Sequence, residues 1–328
     1  MKKNDILLIG GAGYIGTVIT NYFLRKNFKI TCLDNLIYNQ SKSIKKFKNK
    51  RNYKFIFGDL RDKKLIKKVI KNHTNIIILA GLVGDPITKK YPKISESINY
   101  FGIKNLIIQC KKINSIEKLI FVSTCSNYGI GKGRRLLDEN SPLKPLSLYS
   151  KHKVKIEKFI LNLKSIHFST TILRFATAFG ISPRMRFDLT INHFTKSFAD
   201  KEELKIFDPK TSRPYCHVLD FARSIERVLA ANQKKINRQV FNIGSNQNNY
   251  TKEKIIKRIS KYIPKTKIIF LKNDIDKRDY RVNFKKVKAV LNFQTKYNVD
   301  FGIKEIKKFL KTKRNRSNIN NFGNYIIK

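Results

Sequence analysis

Ile6-Leu7-Leu8-Ile9-Gly10-Gly11-Ala12-Gly13-Tyr14-Ile15-Gly16 is the stretch that decides the fold. Four consecutive apolar residues read as a strand buried on both faces. Glycines follow immediately, and apolar residues then recur at helical spacing over 14–26. A strand that turns through glycines into a helix is the setting in which a dinucleotide pyrophosphate rests on a helix N-terminus. Glycine there allows the tight turn and the close approach of backbone to ligand. The spacing is GxxGxxG rather than GxGxxG, and an ordinary strand-to-helix turn is also glycine-rich. A second strand ends about twenty residues on, in Leu33-Asp34. A carboxylate at that place accepts hydrogen bonds from an adenosine ribose and repels a 2′-phosphate, which favours NAD over NADP.

Working outward, the pattern repeats. Ile6–Ile9, Ile30–Leu33, Tyr53–Phe57, Ile76–Ala80, Leu119–Ser123 and Thr170–Phe175 read as buried strands. Between them, 14–26, 61–72, 94–113 and 146–164 carry apolar residues at helical spacing. This alternation predicts an α/β fold, a Rossmann-type doubly wound parallel sheet. From about 181 the pattern loosens into a smaller C-terminal α/β lobe. The expected division is a dinucleotide-binding domain over 1–180 plus about 214–244, and a substrate-binding lobe over 181–213 plus 245–312. The Lys- and Asn-rich tail, 313–328, is expected to fray.

The chain of 328 residues carries 70 Lys+Arg against 23 Asp+Glu, a formal net charge of +47. Such a charge suggests nucleic acid first. Binding arms concentrate charge in blocks, yet each of the first six blocks of fifty holds between 8 and 15 basic residues. The even spread describes a Lys-rich surface rather than a nucleic-acid site. An RNA-binding protein on a dehydrogenase-like scaffold is therefore the minor alternative. The acids are more telling: Asp34, Asp59 and Asp85 are three of six before residue 101. Cys32, Cys110, Cys125 and Cys216 form no metal-ligand spacing, so no metal is expected, and reduced thiols point to the cytoplasm. No apolar run approaches a membrane span.

Two further stretches carry chemistry. In Tyr149-Ser150-Lys151-His152-Lys153 the phenol and the ammonium, four residues apart on a helix, share one face. A nearby cation stabilises a phenolate and makes Tyr149 a usable general base, although a chance YxxxK is common in so Lys-rich a chain. Val122-Ser123-Thr124 ends the fifth strand, where a hydroxyl faces the ligand crevice. Gly58-Asp59-Leu60 after the third strand could reach an adenine or be a plain loop.

In this order and spacing the motifs resemble the extended short-chain dehydrogenase/reductase family, in particular its NAD-dependent nucleotide-sugar epimerases and dehydratases. The resemblance runs to about residue 310. It also includes Leu79-Ala80-Gly81-Leu82-Val83-Gly84-Asp85-Pro86, Asn99, Arg174-Phe175, Arg213-Pro214-Tyr215-Cys216-His217-Val218 and Phe241-Asn242-Ile243-Gly244. It implies catalytic roles for Thr124, Tyr149 and Lys153. It further implies NAD contacts from Gly10, Gly13, Tyr14, Ile15, Gly16, Asp34, Asn35, Asp59, Leu60, Ala80 and Lys153. Cys125-Ser126 stands where the dehydratases carry an Asp-Glu pair, which argues against water elimination. Thr177 stands where many epimerases have a sugar-diphosphate-binding Asn.

The resemblance thus implies an NAD-dependent epimerase of a nucleotide sugar, acting at carbon 4 through a transient keto intermediate. A reductase of a nucleotide keto-sugar uses the same residues and is the alternative. Substrate contacts are expected from Thr124, Tyr149, Thr177, Asn192, Arg213 and Arg278, the arginines because a guanidinium matches a phosphate bidentately. Arg278 lies in Asp276-Lys277-Arg278-Asp279-Tyr280-Arg281. His217, His193 and Cys125 read as packing residues. Helices 94–113 and 146–164 are expected to pair with their copies in a homodimer, as in family relatives.

Overall fold

Seven parallel strands form the central sheet of the computed structural model, which describes residues 4–131, 135–264, 266–271, 278–312, 323–324 and 326–327. They are β1 (Asp5–Ile9), β2 (Lys29–Asp34), β3 (Tyr53–Phe57), β4 (Asn75–Ile78), β5 (Lys118–Thr124), β6 (Ser169–Phe175) and β7 (Gln239–Ile243). Their spatial order is β7-β6-β5-β4-β1-β2-β3. The chain runs outward from β1 through β2 to β3, then crosses to β4 on the other side of β1. That reversal opens a crevice at the carboxyl ends of β1 and β4, where ligands bind in doubly wound sheets.

Helices cover both faces. Side chains alternate across each strand, so Leu7, Ile9, Ile76, Ile78, Leu119 and Phe121 face one side, and Ile6, Leu8, Ile77, Ile120 and Val122 the other. The first set packs on α2 (Lys63–Ile70), α3 (Ile103–Cys110) and α4 (Leu148–Leu161). The second packs on α1 (Tyr14–Leu24) and α5 (Val218–Ala230), through Ile19, Phe23, Phe221 and Ile225. Fully burying such a side chain contributes about 1.5–3 kcal/mol.

The structure departs from the sequence reading in three places. β4 stops at Ile78, because the amides of Leu79 and Ala80 both donate to the Ile9 carbonyl (2.9 and 2.8 Å) and turn the chain away. The expected helix over 94–113 is broken by a π-helical turn, Ser97–Gly102, which carries Asn99. Of 214–244, β7 joins the sheet and α5 packs on it, but Ser212–His217 pairs elsewhere. It lies between Thr177–Phe179 and Asn249–Thr251 in a separate three-stranded sheet. A strand buried along its whole length carries no local signal of which sheet it joins. Leu204–Phe207 pairs with Ile268–Leu271, and helices Thr190–Ala199, Lys252–Ile259 and Val299–Leu310 pack together beside them. Of the expected frayed tail, 313–322, 325 and 328 lie outside the described residues, as do Asp276 and Lys277.

Candidate active site

A cavity of about 890 Å³ opens along the carboxyl ends of the strands. Its wall follows the sheet order, from Asp59 and Asp34 past the glycine turn and Ala80 to Thr124, Tyr149 and Lys153.

The glycine turn is built around two different needs. Gly10 has φ +83°, and a Cβ there would lie 2.5 Å from the Cα of Ala80, so only glycine fits. Gly13 has ordinary extended backbone, and a Cβ on it would meet no protein atom nearer than 3.6 Å. Its missing side chain leaves space in the cavity rather than relieving a clash. Gly13 also caps α1 without a side-chain acceptor, whereas Asp62 caps α2 and Ser147 closes a capping box on α4. The amides of the first turn of α1 are therefore presented without a side-chain cap, as an anion site requires.

Asp34 does more than line the cavity. Its carboxylate accepts from the amides of Ala12 (3.0 Å) and Leu36 (2.8 Å) and from Gln40 Nε2 (3.2 Å), so it pins the glycine turn to the β2 loop. Burial pushes its carboxyl up, while those two amides and the charge of Arg184 pull it back. Asp59 accepts from Asn35 Nδ2 (3.0 Å) and is gripped by Arg61 (2.7 Å), which holds it below the usual carboxylate range against its partial burial. Tyr14, Ile15, Gly16, Asn35 and Leu60 also line the cavity. Asn99 holds the loop after β4: its Oδ1 accepts from the Leu82 amide (2.7 Å) and its Nδ2 donates to the Leu82 carbonyl (3.0 Å).

Tyr149 and Lys153 project from α4 into the same space. Lys153 Nζ lies 5.9 Å from the Tyr149 ring centroid, donates to the Val122 carbonyl (2.7 Å), and sits over the Phe121 ring. Burial lowers the lysine to about 7, with the Glu157 carboxylate pulling it back up. Burial also pushes the Tyr149 phenol up, Arg186 opposing and Asp85 adding to the rise. Thr124 Oγ1 accepts from the Ser126 amide (3.1 Å).

Sequence reasoning missed Glu157, one further turn along α4. It is buried and receives Arg174 (2.7 Å), Asn127 Nδ2 (2.7 Å) and the Ser123 hydroxyl. The spacing Tyr149, Lys153, Glu157, four residues each, was the available signal.

Thr177, Arg213 and Arg278 line the same cavity. Arg278 pairs with Asp85 (2.8 Å) across the crevice. Asn192 is not brought into the cavity. Fully buried, it accepts from the Gly180 amide (3.0 Å) and donates to the Arg186 carbonyl (2.9 Å) and the Tyr14 hydroxyl (3.2 Å), so its amide ties one loop together. Instead Arg184 and Arg186 enter, from Ser182-Pro183-Arg184-Met185-Arg186, a stretch to which the sequence assigned no ligand. Cys125 is buried, its thiol pushed up by burial and donating to the Arg174 carbonyl, as a packing residue. His217 is fully buried against Glu305 (2.6 Å), and burial lowers His193. Among the described residues no His/Cys/Asp/Glu group could hold a metal, and no helix is long and apolar enough to cross a membrane.

The family model for the NAD dependent epimerase/dehydratase family matches residues 6–244. UDP-glucuronate 4-epimerase of Thermodesulfobacterium geofontis is 25% identical over 311 residues, covering 91% of this chain and 93% of that protein. UDP-glucuronate 4-epimerase 4 of Arabidopsis thaliana is 28% identical over 210 residues, 62% of this chain but 48% of the plant protein. The dTDP-glucose 4,6-dehydratase of Bacillus anthracis, solved in complex with NAD, superposes with a TM-score of 0.81 at 26% identity. It covers 94% of this chain and 97% of the dehydratase.

Proposed function

The chain belongs to the NAD dependent epimerase/dehydratase family, and on that premise we propose that it is an NAD-dependent C4 epimerase of a nucleotide-activated sugar. The observation that carries this reading is the meeting of Asp34, the glycine turn, Thr124, Tyr149 and Lys153 in one cavity at the strand-order reversal. The 4-epimerase relatives support the reaction, and Cys125-Ser126 speaks against water elimination.

The cofactor fits the residues present: the open space at Gly13 and the uncapped first turn of α1 suit a pyrophosphate. Gly10, Gly13, Tyr14, Ile15 and Gly16 would hold it there, Asp34 and Asn35 its adenosine ribose, Asp59 and Leu60 its adenine. Ala80 and Lys153 would border its nicotinamide half. When bound, NAD supplies reversible acceptance of a hydride from the sugar. Tyr149 takes the proton of the sugar hydroxyl and later returns it. Lys153 offers the positive charge that favours the phenolate. Thr124 Oγ1, already accepting from Ser126, directs its O–H to the reacting oxygen. Arg213, Arg278 and Thr177 border the part of the cavity that takes the sugar diphosphate, with 181–213 and 245–312 as the substrate-binding segments.

The four buried free thiols fit a reducing cytoplasm. Phe101 and Ile108, 58% and 40% exposed, support a homodimer built on their helix and α4; a monomer mass by light scattering would refute that assembly. The activity test is incubation of purified protein with a panel of UDP-, dTDP-, GDP- and CDP-sugars, read by NMR. One substrate is expected to equilibrate with its C4 epimer without net NADH change. Stoichiometric NADH oxidation with a keto-sugar, and no epimerisation, would assign a reductase instead.

A further inference from the structure

The loop after β6 is clasped onto the first turns of α1. The Ser182 hydroxyl donates to the Tyr14 carbonyl (2.7 Å) and lies 2.9 Å from Thr17 Oγ1. The Tyr14 hydroxyl donates to the Gly180 carbonyl (2.6 Å), and Asn192 ties the same loop at Arg186. Two residues beyond Ser182, this clasp carries Arg184 to the cavity wall, where it is 6% exposed.

A guanidinium has five N–H donors and no acceptor. Among the described residues, Arg184 has one hydrogen-bonding side-chain contact, from Nη2 to the Gly323 carbonyl (3.0 Å), and one ring contact, 5.0 Å from the Tyr38 centroid. Among the described residues it has no carboxylate partner at ion-pair distance. The neighbouring Arg186 differs, being paired with Asp188 (2.9 Å). Burial and the like charge of Arg186 bring Arg184 down to about 10. Holding a buried cation without a partner costs several kcal/mol, and an anion in the cavity would offset that cost.

Position decides which anion. Arg184 hangs from the loop bonded to Tyr14 and Thr17, stacks on Tyr38 after β2, and its charge is felt by Asp34. These are the elements around the uncapped N-terminus of α1. Arg213 and Arg278 belong to the other group, around Tyr280 and Asp85. We infer that Arg184 is a cofactor-binding residue whose guanidinium pairs with the diphosphate of the dinucleotide at the N-terminus of α1. The inference rests on the reading of this cavity as an NAD site. It gives the diphosphate a charged partner beside the neutral backbone donors of the glycine turn.

Calorimetric titration of wild type, Arg184→Gln and Arg184→Lys with NAD, NADP and adenosine tests it, alongside KM for the nucleotide sugar. Arg184→Gln is expected to raise the NAD Kd about tenfold to a hundredfold, the loss of charge-assisted bonds. Arg184→Lys should recover part of it, having charge without the fork, and adenosine binding should not change. An unchanged NAD Kd in a folded variant overturns the inference and leaves the epimerase reading standing. So does an unchanged NAD Kd with a raised sugar-nucleotide KM, which moves Arg184 to the other diphosphate. A wild-type preference for NADP that Arg184→Gln removes would assign the guanidinium to a 2′-phosphate and also overturn it. Wild-type protein that binds no NAD overturns both readings.

Discussion

Replacing Lys153 by Met keeps a long apolar stem and removes the charge that sits 5.9 Å from the Tyr149 ring. Two unit charges about 6 Å apart interact by about 2.8 kcal/mol at an effective dielectric of about 20. At 1.36 kcal/mol per pKa unit that is about two units on the phenol. The direction follows from the chemistry: Tyr149 works as a base when deprotonated, so kcat/KM rises with pH through its pKa. Without the ammonium that pKa moves up. The acid limb of the profile should therefore shift about two pH units higher, a loss of about a hundredfold at the low-pH end that shrinks as pH rises. Burial brings Lys153 itself to about 7, and a phenolate beside it raises that value in turn, so the two groups titrate as a coupled pair. The assay is kcat/KM from pH 6 to 10 with saturating NAD, with bound nucleotide checked by absorbance. An ultraviolet difference titration of phenolate against Tyr149→Phe gives the pKa independently. A Lys153→Met profile parallel to wild type, lowered equally at every pH, would refute the electrostatic argument.

Two other perturbations separate binding from stability. Gly13→Ala should leave the melting temperature of nucleotide-free protein within a degree or so, since its Cβ meets nothing nearer than 3.6 Å, yet abolish NAD binding. Gly10→Ala, at φ +83° and against the Ala80 backbone, should lower the melting temperature itself; calorimetry that ranked them the other way would contradict this account of the turn. Glu157→Gln leaves the 4%-exposed Arg174 side chain without its carboxylate. Breaking a buried pair costs about 3–5 kcal/mol, roughly 4–7 °C in melting temperature for a chain of this length, and an unshifted transition would show that Asn127 and Ser123 suffice.

What could be read in the chain and what could not divide along sequence distance. Ile6–Gly16 states its own structure, because a strand, a tight turn and a helix start within eleven residues leave few other backbones open. Tyr149 and Lys153 were legible for the same reason, since one helical turn brings them together whatever the rest of the molecule does. The family resemblance then joined these local signals into a reaction. Asn192 shows where that reasoning ends. Its residue type suits a substrate contact, but packing turned it inward to bind Tyr14, 178 positions away. The 214–244 stretch expected with the dinucleotide-binding domain begins inside Ser212–His217, which pairs with Thr177–Phe179 rather than with the main sheet. Asp85 meets Arg278 across the cavity, and Ser182 carries Arg184 to α1, although nothing in either neighbourhood announces the partner. The sequence by itself determined the α/β class, the glycine turn, the carboxylate that ends β2 and the Tyr-Lys pair, all set by bonds and periodicities spanning a few residues. The tertiary structure alone decided which arginines face the cavity and which polar groups are consumed inside the protein. Those outcomes depend on how distant segments pack, and packing is a property of the whole chain.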